Sequence, residues 1–144
     1  EIKPDVVIGP DHKLYPESHP DHLRVGEAVS KAYFMCSNVN MMKSVGATQI
    51  AKPTVLAYYF TGKPNKYVKI TKKDFEKTKA AYACFVSQCP PPDNGKSLML
   101  YMRLKVRLNG LRSFHIRADA FRVMNNMHIH CCGEAEDTAI RRPL

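Results

Sequence analysis

Residues 98–108 read LMLYMRLKVRL, and their alternation governs the first view of the fold. Leu98, Leu100, Met102, Leu104, Val106 and Leu108 share one parity, and Met99, Tyr101, Arg103, Lys105 and Arg107 share the other. Period two over eleven residues predicts a half-buried β-strand with a basic outer face. Phe114, Ile116, Ala118 and Ala120 predict a partner strand, and Met127, Ile129 and Cys131 its continuation or a third. A two-residue turn at Asn109-Gly110 would set Leu104 opposite His115 and mix the faces. A three-residue bulged loop sets Leu104 opposite Ile116, so a bulged hairpin is expected. Its outer face would carry Arg103, Lys105, Arg107, His115 and Arg117.

Working outward, PTVLAYYF at 53–60 is β-branched and aromatic and runs into the turn cluster TGKPN, which predicts a strand. Tyr67, Val68 and Ile70 suggest another. Thr71 and Asp74 form an approximate capping box ahead of Phe75, Thr78, Lys79 and Tyr82, which predicts one short helix within 71–83. Pro90, Pro91 and Pro92 break the chain, and DNGK beyond them reads as a turn. Leu23 to Phe34 fits a short helix begun at Pro20 and Asp21, or the entry to a strand. Pro4, Pro10, Pro16 and Pro20 mark residues 1–28 as an extended arm. The expected division is that arm, one domain over 29–134, and a tail over 135–144.

The chain has 144 residues, 44% of them apolar and 24% charged, which suits one globular domain. No apolar run reaches the ~18–20 residues of a membrane span. The net charge of +9 favours acidic partners. Nothing matches GxSxG, HExxH, a P-loop or GxGxxG, and carboxylates at a useful catalytic spacing are absent.

Five cysteines fit a disulfide framework with one thiol left over. Parity turns Cys131 inward and Cys132 outward. Four intrachain cysteines allow three pairings. The favoured one joins Cys36 to Cys131 and Cys84 to Cys89, leaving Cys132 for an intermolecular bond. A zinc set of His128, His130 and Cys132 with Cys84 or Cys89 matches no common module, so no metal and no cofactor is expected. His115, His128 and His130 beside Lys105 would suit a small secreted RNase-like or nucleic-acid-binding protein, which is the alternative reading. The consecutive aromatics Tyr58, Tyr59 and Phe60 would place at least one ring outward, as a protein contact.

The layout of these cysteines resembles a known family. A first cysteine lies in YFMCSNVNMM, a close pair at Cys84 and Cys89, a tyrosine in LMLYMRLKV, and a last cysteine ends FRVMNNMHIHC. Over residues 30–134 this resembles the ZP-N domain of zona pellucida and vitelline-envelope proteins, such as repeats of the vitelline-envelope receptor for sperm lysin. The resemblance implies Cys36–Cys131 and Cys84–Cys89 bonds, with Tyr101 as the family tyrosine. The fold expected is thus a mainly β, immunoglobulin-like ZP-N-type sandwich, disulfide-bonded, with one short helix. The function expected is that of a secreted, non-enzymatic module of an extracellular egg coat in the extracellular matrix. It would self-associate or bind a sperm protein through Tyr58, Tyr59, Phe60, Arg103, Lys105, Arg107 and Arg117. An acidic glycan is a further partner on this reading, and nucleic acid is not expected.

Overall fold

The computed structural model describes residues 2–15 and 17–125. It is a mixed α/β structure and not a β-sandwich. Among the described residues there are four strands: β1 (Val6–Pro10), β2 (Val55–Tyr59), β3 (Lys66–Lys69) and β4 (Ala118–Met124). Four α-helices accompany them: α1 (Pro20–Met35), α2 (Val39–Ser44), α3 (Lys72–Ala83) and α4 (Lys96–Arg112). The sheet order is β1-β2-β4-β3. The chain divides into two compact units, residues 1–66 with 120–144, and residues 67–119.

In the first unit, β1 and β2 are parallel, with Val6 opposite Val55 and Pro10 opposite Tyr59. A parallel pair requires a crossover, here supplied by α1 and α2. His19 stands at the N-cap of α1, Pro20 opens the helix and Asp21 sits in its first turn. Proline is favoured there because its missing N–H would be unsatisfied anyway, and an acid there complements the helix dipole. The helix packs Tyr33 onto Leu56, Tyr58 and Met124, with Val7 and Val29 at the edge. Val55, Ala57 and Val123 form a second cluster with Phe121. VLAYY is therefore apolar without alternation because β2 is buried on both faces. β4 runs antiparallel to β2, with Leu56 opposite Met124 and Tyr58 opposite Arg122. Asn65 holds β4 by its side chain, donating from Nδ2 to the Val123 carbonyl at 3.0 Å and accepting from the Val123 amide at 2.8 Å.

Close approach of α1 depends on a glycine. A Cβ at Gly26 would lie 2.5 Å from the Pro10 carbonyl oxygen and 2.9 Å from His12 Cβ. Gly26→Ala is expected to cost about 1–3 kcal/mol, as overpacking does. At Gly62 the nearest atom would be a Leu14 methyl at 3.4 Å, so Gly62→Ala is the near-neutral control. Urea midpoints measure both. Equal midpoints would mean that α1 does not need this approach.

In the second unit, α3 begins with the expected capping box. Thr71 Oγ1 accepts from the Asp74 amide, and the Asp74 carboxylate accepts from the Thr71 amide. The predicted turn at DNGK leads into α4 through Asn94 and Gly95, both at positive φ. Asp93 Oδ2 accepts from the Ser97 amide at 3.1 Å, satisfying one orphan donor of the first turn.

Several expectations are corrected here. Residues 98–108 lie inside α4, not in a strand. Leu, Met, Lys and Arg are strong helix formers, and Val106 is the lone β-branched residue in that run. A period-two pattern splits into two period-four rows, and each row is also a ridge along a helix. Leu98, Met102 and Val106 form the inward row, ending at the buried Asn109 and Gly110. Leu100, Leu104 and Leu108 form the other and are about half exposed. Asn109 and Gly110 thus end a helix instead of turning a hairpin. A Cβ at Gly110 would meet the His115 carbonyl oxygen at 2.6 Å. Phe114 and Ile116 lie outside β4 and are almost fully exposed. YFMCSNVNMM is the end of α1 and the start of α2, with the Cys36 amide donating to the Ala32 carbonyl. Cys36, Cys84 and Cys89 carry free thiols, so the Cys84–Cys89 bond is absent. Cys131 and Cys132 lie outside the described residues. Within 1–28, expected as an arm, lie β1 and the opening turns of α1.

Candidate functional site

The carboxyl ends of β1 and β2 and the N-terminus of α1 meet in the first unit. Such strand ends are where open α/β sheets bind ligands. Asp11 follows β1, its amide donating to the Tyr59 carbonyl at 2.9 Å. Its carboxylate receives two bonds from Arg122 of β4: Nη2 to Oδ1 at 2.6 Å and Nε to Oδ2 at 2.8 Å. Both side chains are buried. Burial alone would raise the Asp11 carboxyl. The hydrogen bonds from Arg122, Thr61 and the Lys13 amide outweigh it and hold the carboxyl below its ordinary value. The guanidinium also lies 4.5 Å over the ring of Tyr58, its cross-strand neighbour.

Beside this pair opens a cavity of about 280 Å³. Asp11, Lys13, Thr61, Lys63 and Arg122 supply its polar lining, and Leu14, Tyr15 and Gly62 complete the wall. A small site lined by convergent polar groups suits a hydroxylated ligand.

At the start of α1 stand two imidazoles, His19 and His22, stacked with ring centroids 4.7 Å apart. The hydrogen bonds set their tautomers. His22 Nδ1 lies 2.8 Å from Glu17 Oε2. A carboxylate only accepts, so Nδ1 carries a proton, and in the neutral ring Nε2 keeps the lone pair. His19 Nδ1 accepts from the Asp21 amide at 3.3 Å, which leaves the proton of the neutral ring on Nε2. The two rings thus present opposite chemistry, one a base or ligand edge and the other a donor edge. Glu17 also accepts from the His19 amide at 2.8 Å. The His22 bond first, then the His19 amide, holds the Glu17 carboxyl below its ordinary value. Phe60, held at φ 52°, sets its ring 6.0 Å from His22 and leads directly into Thr61.

His12 follows Asp11 and sets its ring edge-on to Tyr58 at 5.6 Å. Burial is the first cause that pushes its pKa down from 6.5, with Arg122 and Lys13 adding to it and Asp11 and Glu27 opposing. Its Nδ1 is buried without a partner among the described residues. The folded protein therefore holds His12 neutral at a pH where the unfolded chain protonates it. This contribution to stability is present above 6.5 and is lost as pH falls from there toward the folded value. His12→Phe is expected to remove that segment of the curve of urea midpoint against pH. The slope difference between variant and parent is what is read, so the other histidines cancel. Equal slopes would contradict the neutral His12.

Of the sequence-predicted residues, Tyr58, Tyr59 and Phe60 lie at this site, and the others are placed elsewhere. Tyr58 belongs to the core beneath this site, and its hydroxyl meets Ser30 Oγ. Tyr59 packs edge-on against Phe60 at 4.9 Å. Arg103, Lys105 and Arg107 lie on α4, with Lys105 Nζ 5.7 Å from the Tyr101 ring. Helical geometry sends Lys105 away from Arg103 and Arg107, so the expected row does not exist. Arg117 precedes β4, its carbonyl accepting from Ile70. His115 is exposed, and His128 and His130 lie outside the described residues. Among the described residues no three metal-ligating side chains gather, and no helix is long and apolar enough to cross a membrane. The signal the sequence reading passed over is His19-Pro20-Asp21-His22, two histidines at i and i+3 around a helix start.

No family profile matches the chain. The diacetylchitobiose deacetylase of Thermococcus kodakarensis is 30% identical over 134 residues, covering 90% of this chain and 49% of that protein. The solved structure of the N,N'-diacetylchitobiose deacetylase of Pyrococcus horikoshii, complexed with its inhibitor MPG, superposes with a TM-score of 0.76 at 27% identity. That match also covers 90% of this chain and 49% of the other. The chain therefore spans about half the length of these relatives. These likenesses overturn the ZP-N resemblance, and with it the egg-coat module, its gamete and glycan partners and the non-enzymatic reading. What the chain resembles, in sequence and in fold, is about one half of a diacetylchitobiose deacetylase.

Proposed function

We propose that this chain carries part of the active site of a hydrolase that removes the acetyl group from an N-acetylated amino sugar. The observation that carries the reading is the opposed pair of imidazoles at the start of α1, which Phe60 connects to Thr61 in the wall of a small polar cavity. Amide hydrolysis needs both edges. Water adds to the acetyl carbonyl, the C–N bond breaks, acetate leaves and the freed nitrogen takes a proton. His22 Nε2, backed by Glu17, takes the proton of the attacking water. His19 Nε2–H donates to the carbonyl oxygen as charge develops there, and the proton taken up by His22 passes to the leaving nitrogen. An imidazole whose Nδ1–H is held by a carboxylate is also the arrangement metal sites use. Were a divalent cation held at His22 Nε2, that lone pair would no longer serve as the base, and the cation would instead supply a lowered pKa for its water. Lys13 and Lys63 in the cavity wall offer hydrogen bonds to sugar hydroxyls, and the buried Asp11–Arg122 pair holds the floor beneath them. The test is acetate release from N,N'-diacetylchitobiose by the purified protein, with and without added divalent cation. Acetate and free amine are expected in equal amounts. Neither product from folded protein under either condition would refute the proposal.

A further inference from the structure

The second unit holds a larger cavity, of about 400 Å³, lined by none of the residues that line the cavity at the candidate site. It lies between one face of α3 and one face of α4. From α3 come Phe75, Lys79, Tyr82 and Ala83, spaced i, i+4, i+7 and i+8. From α4 come Lys96, Met99, Leu100 and Arg103, spaced i, i+3, i+4 and i+7. Both spacings are single helical faces, so both rows look into the same groove. Its volume falls in the range of small-molecule sites.

The order of residue types along the groove defines its ligand. On α4 the apolar Met99 and Leu100 stand between two cations, Lys96 and Arg103. Those cations stand seven positions apart, about 10 Å at 1.5 Å per residue. On α3 the buried Phe75 ring and the half-buried Tyr82 continue the apolar wall. No carboxylate lines the cavity. The nearby acids are Glu76, which pairs with Lys79 at 2.9 Å and also feels Arg103, and Asp93, whose carboxylate accepts from the Ser97 amide beside Lys96. Two acids against Lys79, Lys96 and Arg103 leave the groove positive by one charge.

We propose that this groove is a binding site for an apolar carboxylate, a molecule with a hydrocarbon body and an anionic head. The body lies on Phe75, Tyr82, Met99 and Leu100, and the head meets Lys96 or Arg103. Removing apolar surface from water supplies affinity, and the charge-assisted hydrogen bond selects the anion. An uncharged or cationic ligand of the same length finds the same walls but no partner for its head. The site is independent of acetyl hydrolysis.

Decanoate is the probe, followed by calorimetry on the whole protein, with decanol and decylamine as arms. Saturable binding of one decanoate is expected, weakening as salt rises. Lys96→Gln or Arg103→Gln is expected to weaken it about ten- to a hundred-fold, the effect of losing one hydrogen bond to a charged group. Arg112→Gln, near the end of α4, should leave it unchanged. Both groove substitutions are at exposed side chains, and circular dichroism confirms the fold. The proposal is overturned by non-saturable binding, by decanol binding as tightly as decanoate, or by equal affinities in parent and groove variants.

Discussion

Arg122→Leu is expected to lower stability by about 3–5 kcal/mol, the cost of removing one partner from a buried ion pair. The reason lies in the carboxylate left behind. Asp11 has 3% of its side chain exposed, so water cannot replace the two bonds it loses. The double variant Asp11→Leu with Arg122→Leu should cost less than Arg122→Leu alone, because no orphan charge remains. The pH dependence follows from the depressed carboxyl. The pair's contribution is whole above 3.8, the ordinary Asp value, and is lost as pH falls through the folded value. In Arg122→Leu the buried carboxyl protonates at higher pH. The deficit against the parent therefore narrows on acidification. Urea unfolding at several pH values measures all of this. A deficit below about 1 kcal/mol, or one that does not change with pH, would show that the pair does not hold β1 to β4.

His22→Ala is expected to reduce kcat by about 10²- to 10⁴-fold with little change in fold, the range for a positioned acid or base. Glu17→Gln keeps the size of the group but weakens its hold on Nδ1–H. Outer partners of this kind cost about 10- to 100-fold when replaced, so its effect should be the smaller. His19→Ala should lower kcat more than it raises KM, because its donor acts on charge that develops only in the transition state. If His22→Ala and Glu17→Gln retain parental kcat, the imidazole pair is not the catalytic pair. Far-UV circular dichroism separates that result from unfolding.

The local grammar of the chain was readable where one element satisfied its own needs. Thr71 and Asp74 exchange bonds within one turn, so the start of α3 could be read without its surroundings. VLAYY is rich in strand formers, and DNGK in turn formers, and both behave as composition suggests. Residues 98–108 failed because hydrophobic periodicity was weighed above propensity. Leu98, Met102 and Val106 satisfy a strand face and a helix ridge equally well, and only the unbranched side chains between them favour the helix. That single exchange of strand for helix removed the hairpin, the basic face and the sandwich together. The site was hidden for a different reason. Prolines near Glu17 and His22 read as an arm, although Pro20 is the first residue of α1. The Asp11–Arg122 pair joins residues 111 apart in sequence, and no local pattern announces it.

The most direct measurement is the mass spectrum of N,N'-diacetylchitobiose after incubation with the parent protein and with His22→Ala in parallel. The account predicts a disaccharide lighter by one acetyl group from the parent and unchanged substrate from the variant. Unchanged substrate from the parent, monosaccharides from cleavage of the glycosidic bond, or equal deacetylation by both proteins would contradict it.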